Sequence, residues 1–149
     1  MAQTNLQKSL YEKDFVAWLD RTAAKLKQRR FEEIDLENLI EEIEGLARRD
    51  RRELKNRLKV LLSHLLKRLY VNSPNDYRGW EITIREQRQQ LSDLLEQSPS
   101  LSLYFTEVFS NCRQTALSDL REDYPETQFP NEWQYSLEIE SLLTEKFWN

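Results

Sequence analysis

Apolar residues recur along this chain at three- and four-residue steps, the spacing that places them on one face of a helix. From Tyr11 to about Arg29 the stripe is Phe15, Trp18, Leu19, Ala23 and Leu26, with Asp14 near its start. Asp35, a residue type that caps helices, opens a second pattern running to about Tyr70 through Leu36, Leu39, Ile40, Ile43, Ala47, Leu54, Leu58, Leu61, Leu65 and Leu69. At 1.5 Å per residue this second helix is a rod of about 50 Å. The turn Asn72 to Asp76 ends it, and a third helix carries Trp80, Ile84, Leu91, Leu94 and Leu95 to about Gln97. Ser98 and Pro99 read as an N-cap followed by proline at the first helical position. The fourth helix, to about Asp123, uses Leu101, Phe105, Val108, Phe109, Cys112, Ala116 and Leu120. Pro125 and Pro130 then bracket an irregular stretch before a short last helix, about Tyr135 to Phe147. With no internal repeat or linker, the pattern predicts an all-α bundle of four to five helices with one long central helix, about 35–70. The expected organisation is one helical domain over residues 1–149, with a flexible N-terminus of about ten residues.

Composition narrows the function classes. A chain of 149 residues can bury about 70% of its unfolded surface, enough for a self-sufficient core. Only two glycines, Gly45 and Gly79, are present, and the four prolines fall between periodic segments. So few glycines disfavour hairpin-rich β structure and cannot build a phosphate loop, a dinucleotide-binding turn or a nucleophile elbow. Cys112 is the single cysteine, which excludes an internal disulfide; among Phe105, Val108, Phe109 and Ala116 it reads as a small buried hydrophobe. The first twenty residues lack an uninterrupted apolar core, and no run of about 18 apolar residues occurs, so neither a signal peptide nor a membrane contact is expected and the cytoplasm is the expected location. A net charge of −4 favours solubility and selects no partner.

The run DLENLIEEIEGLARRDRRELKNRLKVLLSHLLKRL, followed by GWEITIREQRQQLSDLLEQSPSL and the closing EKFW, resembles the bacterial family called domain of unknown function 29. The resemblance also takes in the opening YEKDFVAWL and so covers nearly the whole chain. It implies an all-α fold and a bacterial source, with cyanobacteria a common setting, and it supplies no activity and no catalytic residues. Around Arg68 to Asn72 the chain departs from relatives that often carry a tryptophan followed by a glutamine-proline pair.

Candidate chemistry lies on the long helix. Steps of seven from Leu36 give Ile43, Asp50, Arg57, His64 and Val71, nearly one line on an α-helix. Its middle members, Asp50, Arg57 and His64, are polar beside core leucines and so require partners. One reading is structural: they pair with a neighbouring helix at Arg85, Gln87 or Arg88 and fix its register. The other is catalytic, because Arg57, six residues, then His64 is similar to the R-x(4-6)-H signature of HEPN-type helical ribonucleases. There the arginine holds a phosphate and the histidine moves a proton. Leu58 departs from that signature, where a polar residue often follows the arginine.

The outer face of the same helix is charged. Arg48, Arg52, Lys55 and Lys59 form a basic strip of the kind that binds nucleic acid, yet Glu37, Glu41 and Glu44 precede it on that face. Acid first and base later suits the helix dipole and describes a solvated surface. It also suits self-association, since two such helices antiparallel about residue 46 set Glu37 opposite Lys55, Glu41 opposite Arg52 and Glu44 opposite Arg48. A di-metal site is disfavoured: Glu41, Glu42 and Glu44, with Glu32 and Glu33 nearby, lie twenty or more residues from the one histidine, outside the Glu-x-x-His pattern of bundle metal centres. No metal and no cofactor is therefore expected. The four tryptophans, Trp18, Trp80, Trp133 and Trp148, read as packing anchors, the last two tethering the irregular C-terminal part. Two functional expectations result. The first is a non-enzymatic protein-interaction module, a homodimer with room for a further protein partner; the second is a HEPN-like ribonuclease or nucleic-acid-binding protein using Arg57 and His64.

Overall fold

The structure, a computed structural model, describes residues 10–149. The N-terminal stretch expected to be flexible lies, but for Leu10, outside the described residues. From Phe15 onward the chain forms α1 (Phe15–Lys27), a 3-10 turn (Phe31–Glu33), α2 (Leu36–Tyr70), α3 (Pro74–Gln97), α4 (Leu101–Asp123) and α5 (Ile139–Thr144), with no strand among the described residues. The all-helical bundle with one long helix is thus present. Internal contacts divide the chain into two compact units, one ending at Arg49 and one spanning Asp50–Asn149, and the division falls within α2.

In the first unit, Asp14 caps α1 by accepting the Ala17 N–H at 3.1 Å. Trp18 is fully buried, edge-on to Tyr11 at 4.7 Å and stacked on Phe15 at 6.1 Å between centroids. The Tyr11 hydroxyl donates to the Glu42 carboxylate. Helix α1 ends in a Schellman motif: the Arg30 N–H bonds Lys25 O at 2.9 Å, the Arg29 N–H bonds Leu26 O at 3.1 Å, and Arg29 takes a left-handed φ of 59° where glycine is usual. Buried Asp35 caps α2, accepting the Asn38 N–H at 3.3 Å and the Asn38 side-chain amide at 2.6 Å.

The apolar stripes expected to form core in this unit do not all do so. Trp18 and Ile34 are buried, but Phe15, Leu19 and Leu26 of α1 and Leu36, Ile40 and Ile43 of α2 are exposed, as are Ala23 and Ala47. Helical periodicity records which face can pack, and it does so equally where no element covers that face.

The second unit holds the main core. Leu54, Leu58, Leu61, Leu62, Leu65 and Leu66 of α2 are buried against Trp80, Ile84 and Leu91 of α3 and Leu101, Phe105, Phe109, Cys112, Ala116 and Leu120 of α4. Helix α3 runs antiparallel to α2, since Arg57 reaches Gln87 while Arg68 reaches Glu81. Helix α4 returns beside it, with the Cys112 thiol 3.5 Å from Lys55 O and pushed toward its neutral form by burial, in keeping with a small core residue.

Several boundaries differ from expectation. The first helix is expected from Tyr11, but Asp14 is extended and α1 starts at Phe15. Helix α3 begins inside the expected turn, with Ser73 at the cap position and Pro74 at the first helical position, where a missing N–H costs nothing. Ser98 does not open α4; its N–H closes α3 onto Leu94 O at 2.9 Å, and α4 starts at Leu101. The last helix is only Ile139–Thr144, because Glu138 and Glu145 are extended at its two ends. What precedes it is held by side chains. Trp133 packs on Phe109 at 5.7 Å, Tyr135 at 5.5 Å and Phe147 at 5.9 Å, and Arg113 and Arg121 hold the carbonyls of Asn131 and Phe129.

The core assignment makes a quantitative prediction. Leu61→Ala, at a fully buried site, is expected to cost about 2–5 kcal/mol. Leu137→Ala, at an exposed one, should stay within about 0.5 kcal/mol. Urea unfolding monitored by circular dichroism measures both.

Candidate functional site

The polar seam of α2 is occupied member by member, and its three residues take separate partners. Arg57 is half-buried: its Nε donates to Glu53 Oε1 one turn earlier at 2.9 Å, and Nη1 donates to Gln87 Oε1 of α3 at 3.3 Å. This ties α2 to α3 and gives two of the three guanidinium nitrogens partners beside the core. His64 Nδ1 lies 2.8 Å from Val60 O and its Nε2 lies 3.5 Å from Lys67 Nζ. That arrangement assigns the Nδ1–H tautomer, with the Nε2 lone pair facing the ammonium. Burial is the main force holding the His64 pKa below its ordinary value, and the nearby Lys67 charge acts in the same direction. Lys67, whose own pKa burial lowers, sits 5.4 Å above the Trp80 ring.

His64 borders a shallow groove of about 140 Å³ with Lys59, Val60, Ser63, Ala116 and Asp119. Arg57 does not line that groove, and among the described residues no hydrogen bond or ion pair joins Asp50, Arg57 and His64 to one another. Asp50 is partly buried. One phosphate between the arginine and the histidine is therefore not what these side chains are arranged around.

On the outer face, Arg48 is satisfied within its own helix, 2.7 Å from Glu41 and 3.7 Å from Glu44. Exposed pairs of this kind are worth about 0–1 kcal/mol each. Arg52 and Lys55 are exposed and Lys59 is partly buried beside the His64 groove. The strip thus divides between an internally neutralised start and an open middle.

A larger groove lies elsewhere and was not expected from the sequence. It has a volume of about 770 Å³, between one face of α3, with Arg78, Ile82, Arg85 and Gln89, and the chain end from Leu143 to Trp148. Arg88 anchors its floor by donating Nε to Leu142 O at 2.9 Å and Nη2 to Glu145 O at 2.6 Å. The four-three-four step of Arg78, Ile82, Arg85 and Gln89 was visible as a helical face. Its opposite wall was not, because Leu143 to Trp148 reaches it through tertiary contacts with no periodic signature.

The fold and these surfaces define an all-helical protein in which Arg57, Arg68 and Arg88 each tie one helix to another. The chain belongs to the family described as Domain of unknown function DUF29, whose family model matches residues 10–148. No curated protein and no solved structure matches it significantly. Among the described residues no helix is long and apolar enough to cross a membrane.

The state of His64 carries a pH prediction. A histidine whose folded pKa lies below its unfolded value of about 6.5 contributes its full share of stability above that value and loses it as pH falls through the folded pKa. Between about pH 7.5 and about pH 5.5 the wild type should therefore lose more stability than His64→Gln. Equal slopes in urea titrations at the two pH values would show that His64 is not held neutral by the fold.

Proposed function

We propose that this protein is a helical interaction module that pairs with a second copy of itself through the first half of α2. The observation that carries the reading is the exposure of Leu36 at 57%, Ile40 at 51%, Ile43 at 58% and Leu46 at 56%, residues whose spacing is that of a packed helix. Phe15, Val16, Leu19, Leu26 and Phe31 of the same unit are exposed as well, while among its described residues Trp18 and Ile34 are the only buried apolar ones. Clustered exposure of this kind marks an association surface.

Magnitudes choose the register. Leu36, Ile40, Ile43 and Ala47 step by four, three and four, and an antiparallel copy matches them apolar to apolar about an axis between residues 41 and 42. The charge-only register about residue 46 instead sets Leu36 against Asn56. An exposed ion pair contributes about 0–1 kcal/mol, whereas a fully buried leucine or isoleucine contributes about 1.5–3 kcal/mol, so the apolar register prevails. In that register Glu41 meets Glu42 of the other copy and Arg48 is already paired with Glu41 and Glu44 of its own helix, so the self-complementary apolar stripe, not charge, is what selects a second copy.

Covering the exposed half of four such side chains on each copy yields a gross gain of roughly 8 kcal/mol. Association costs about 4–15 kcal/mol. The pair is accordingly weak and concentration-dependent unless the α1 residues join it. A ribonuclease chemistry is not favoured, because Arg57 is committed to Glu53 and Gln87 and does not share the His64 groove.

Sedimentation velocity over a range of protein concentrations tests the reading. The wild type should shift toward dimer as concentration rises, and Ile40→Glu with Ile43→Glu should stay monomeric with an unchanged helical spectrum. A wild type that is monomeric throughout, or a dimer indifferent to those substitutions, removes the proposal.

A further inference from the structure

The groove between α3 and the chain end has a surplus of hydrogen-bond donors. Arg78, Arg85, Arg88 and Lys146 converge on it, in a chain whose net charge is −4. The one carboxylate lining it, Glu81, already accepts from Arg68 Nε at 3.1 Å. Arg78 and Arg85 are exposed and make no ion pair among the described residues. Arg88 is half-buried, its two hydrogen bonds go to the Leu142 and Glu145 carbonyls, and burial lowers its pKa while the Glu145 charge partly offsets that. The indole N–H of Trp148, on the same wall, is buried with no acceptor. Arg78 and Arg85, exposed and without an ion pair among the described residues, are the donors open to acceptor oxygens brought from outside.

We infer that this groove binds a small molecule carrying more than one phosphate. Arginine forks match phosphate oxygens two at a time, which a lone lysine cannot do. On α3, Arg78 and Arg85 are seven residues apart, about 10 Å along the axis, and Arg85 and Arg88 about 4.5 Å, so separate phosphates meet separate arginines. Lys146 closes on them from the opposite wall. The apolar lining by Ile82, Ile84 and Leu143 accepts the uncharged remainder of the ligand. A volume of about 770 Å³ lies within the usual small-molecule range of about 300–1,000 Å³.

A nucleic-acid strand fits less well, since strand tracks present successive aromatic platforms for bases. Here the groove has one tryptophan, whose ring is already met by Arg68 at 5.4 Å and Lys146 at 6.0 Å.

Isothermal titration of the full chain with inorganic tripolyphosphate and with ATP, without added metal, tests the inference. Saturable binding near one equivalent per chain is expected, weakening as salt rises. Arg78→Gln with Arg85→Gln should weaken it at least tenfold, while Arg21→Gln with Lys27→Gln, which removes the same charge from α1, should leave it unchanged. Thermal melts followed by circular dichroism should be the same for the wild type and the groove variant, because both arginines are exposed. Absence of saturable binding, equal binding by the groove variant, or equal weakening by the α1 variant overturns the inference. A single-stranded RNA oligonucleotide that binds more tightly than either probe and depends on Arg78 and Arg85 would overturn the ligand class.

Discussion

Six leucines on the second half of α2 are the surface on which the larger unit is assembled. Leu54, Leu58, Leu61, Leu62, Leu65 and Leu66 reach toward α3 on one side and α4 on the other, so that a single helix supplies the core with two neighbours at once. Their burial removes water from both contacts together, and the polar groups at the margin must then find partners within the fold. Arg57 meets Gln87, Arg68 meets Glu81 and lies 3.8 Å over the Tyr77 ring, and Cys112 approaches Lys55 O. These contacts set how α3 and α4 slide along the leucine ridge.

The two halves of the same helix have opposite fates. Beyond Leu54 its apolar residues are shielded on both sides; between Leu36 and Leu46 most are open to water, although the local sequence differs little in spacing or in residue type. Helix propensity and the Asp35 cap explain why both halves are helical. Neither explains burial, which depends on what tertiary structure supplies. The candidate interaction face and the core are thus the same chemical object under two conditions.

That distinction sets how much was legible in the sequence. The cap at Asp35, the full length of α2 and most inward residues of α4 follow from local patterns that the structure reproduces, whereas Asp14, read as lying near the start of a helix from Tyr11, is itself the cap of α1. The stripe of the first unit was legible as an apolar helix face, but its exposure was not, because amphipathicity looks the same whether or not a partner is present. The end of α1 was legible only to within a residue or two, since the left-handed position falls on Arg29 and carries no glycine to mark it. A serine-proline pair occurs at both Ser73 and Ser98, and only the first opens a helix; the second follows an N–H already committed to Leu94. The polar seam was legible as a need for partners, and Gln87 was among those foreseen. The large groove was hidden, because one wall is a helix face and the other is chain-end residues brought there by Arg88 and an aromatic cluster.

The short last helix has a thermodynamic standing of its own. A six-residue helix cannot persist alone in water, where about 12–15 residues are needed even for favourable sequences. Its order is borrowed from the two Arg88 hydrogen bonds, from burial of Leu142 and from the rings of Trp133, Tyr135 and Phe147. Such a segment draws its helical order from the core of the larger unit, in which Leu142 is fully buried. One wall of the groove is therefore ordered by tertiary contacts and the other by a long helix, so whatever fills the groove adds to the contacts on which the first wall depends.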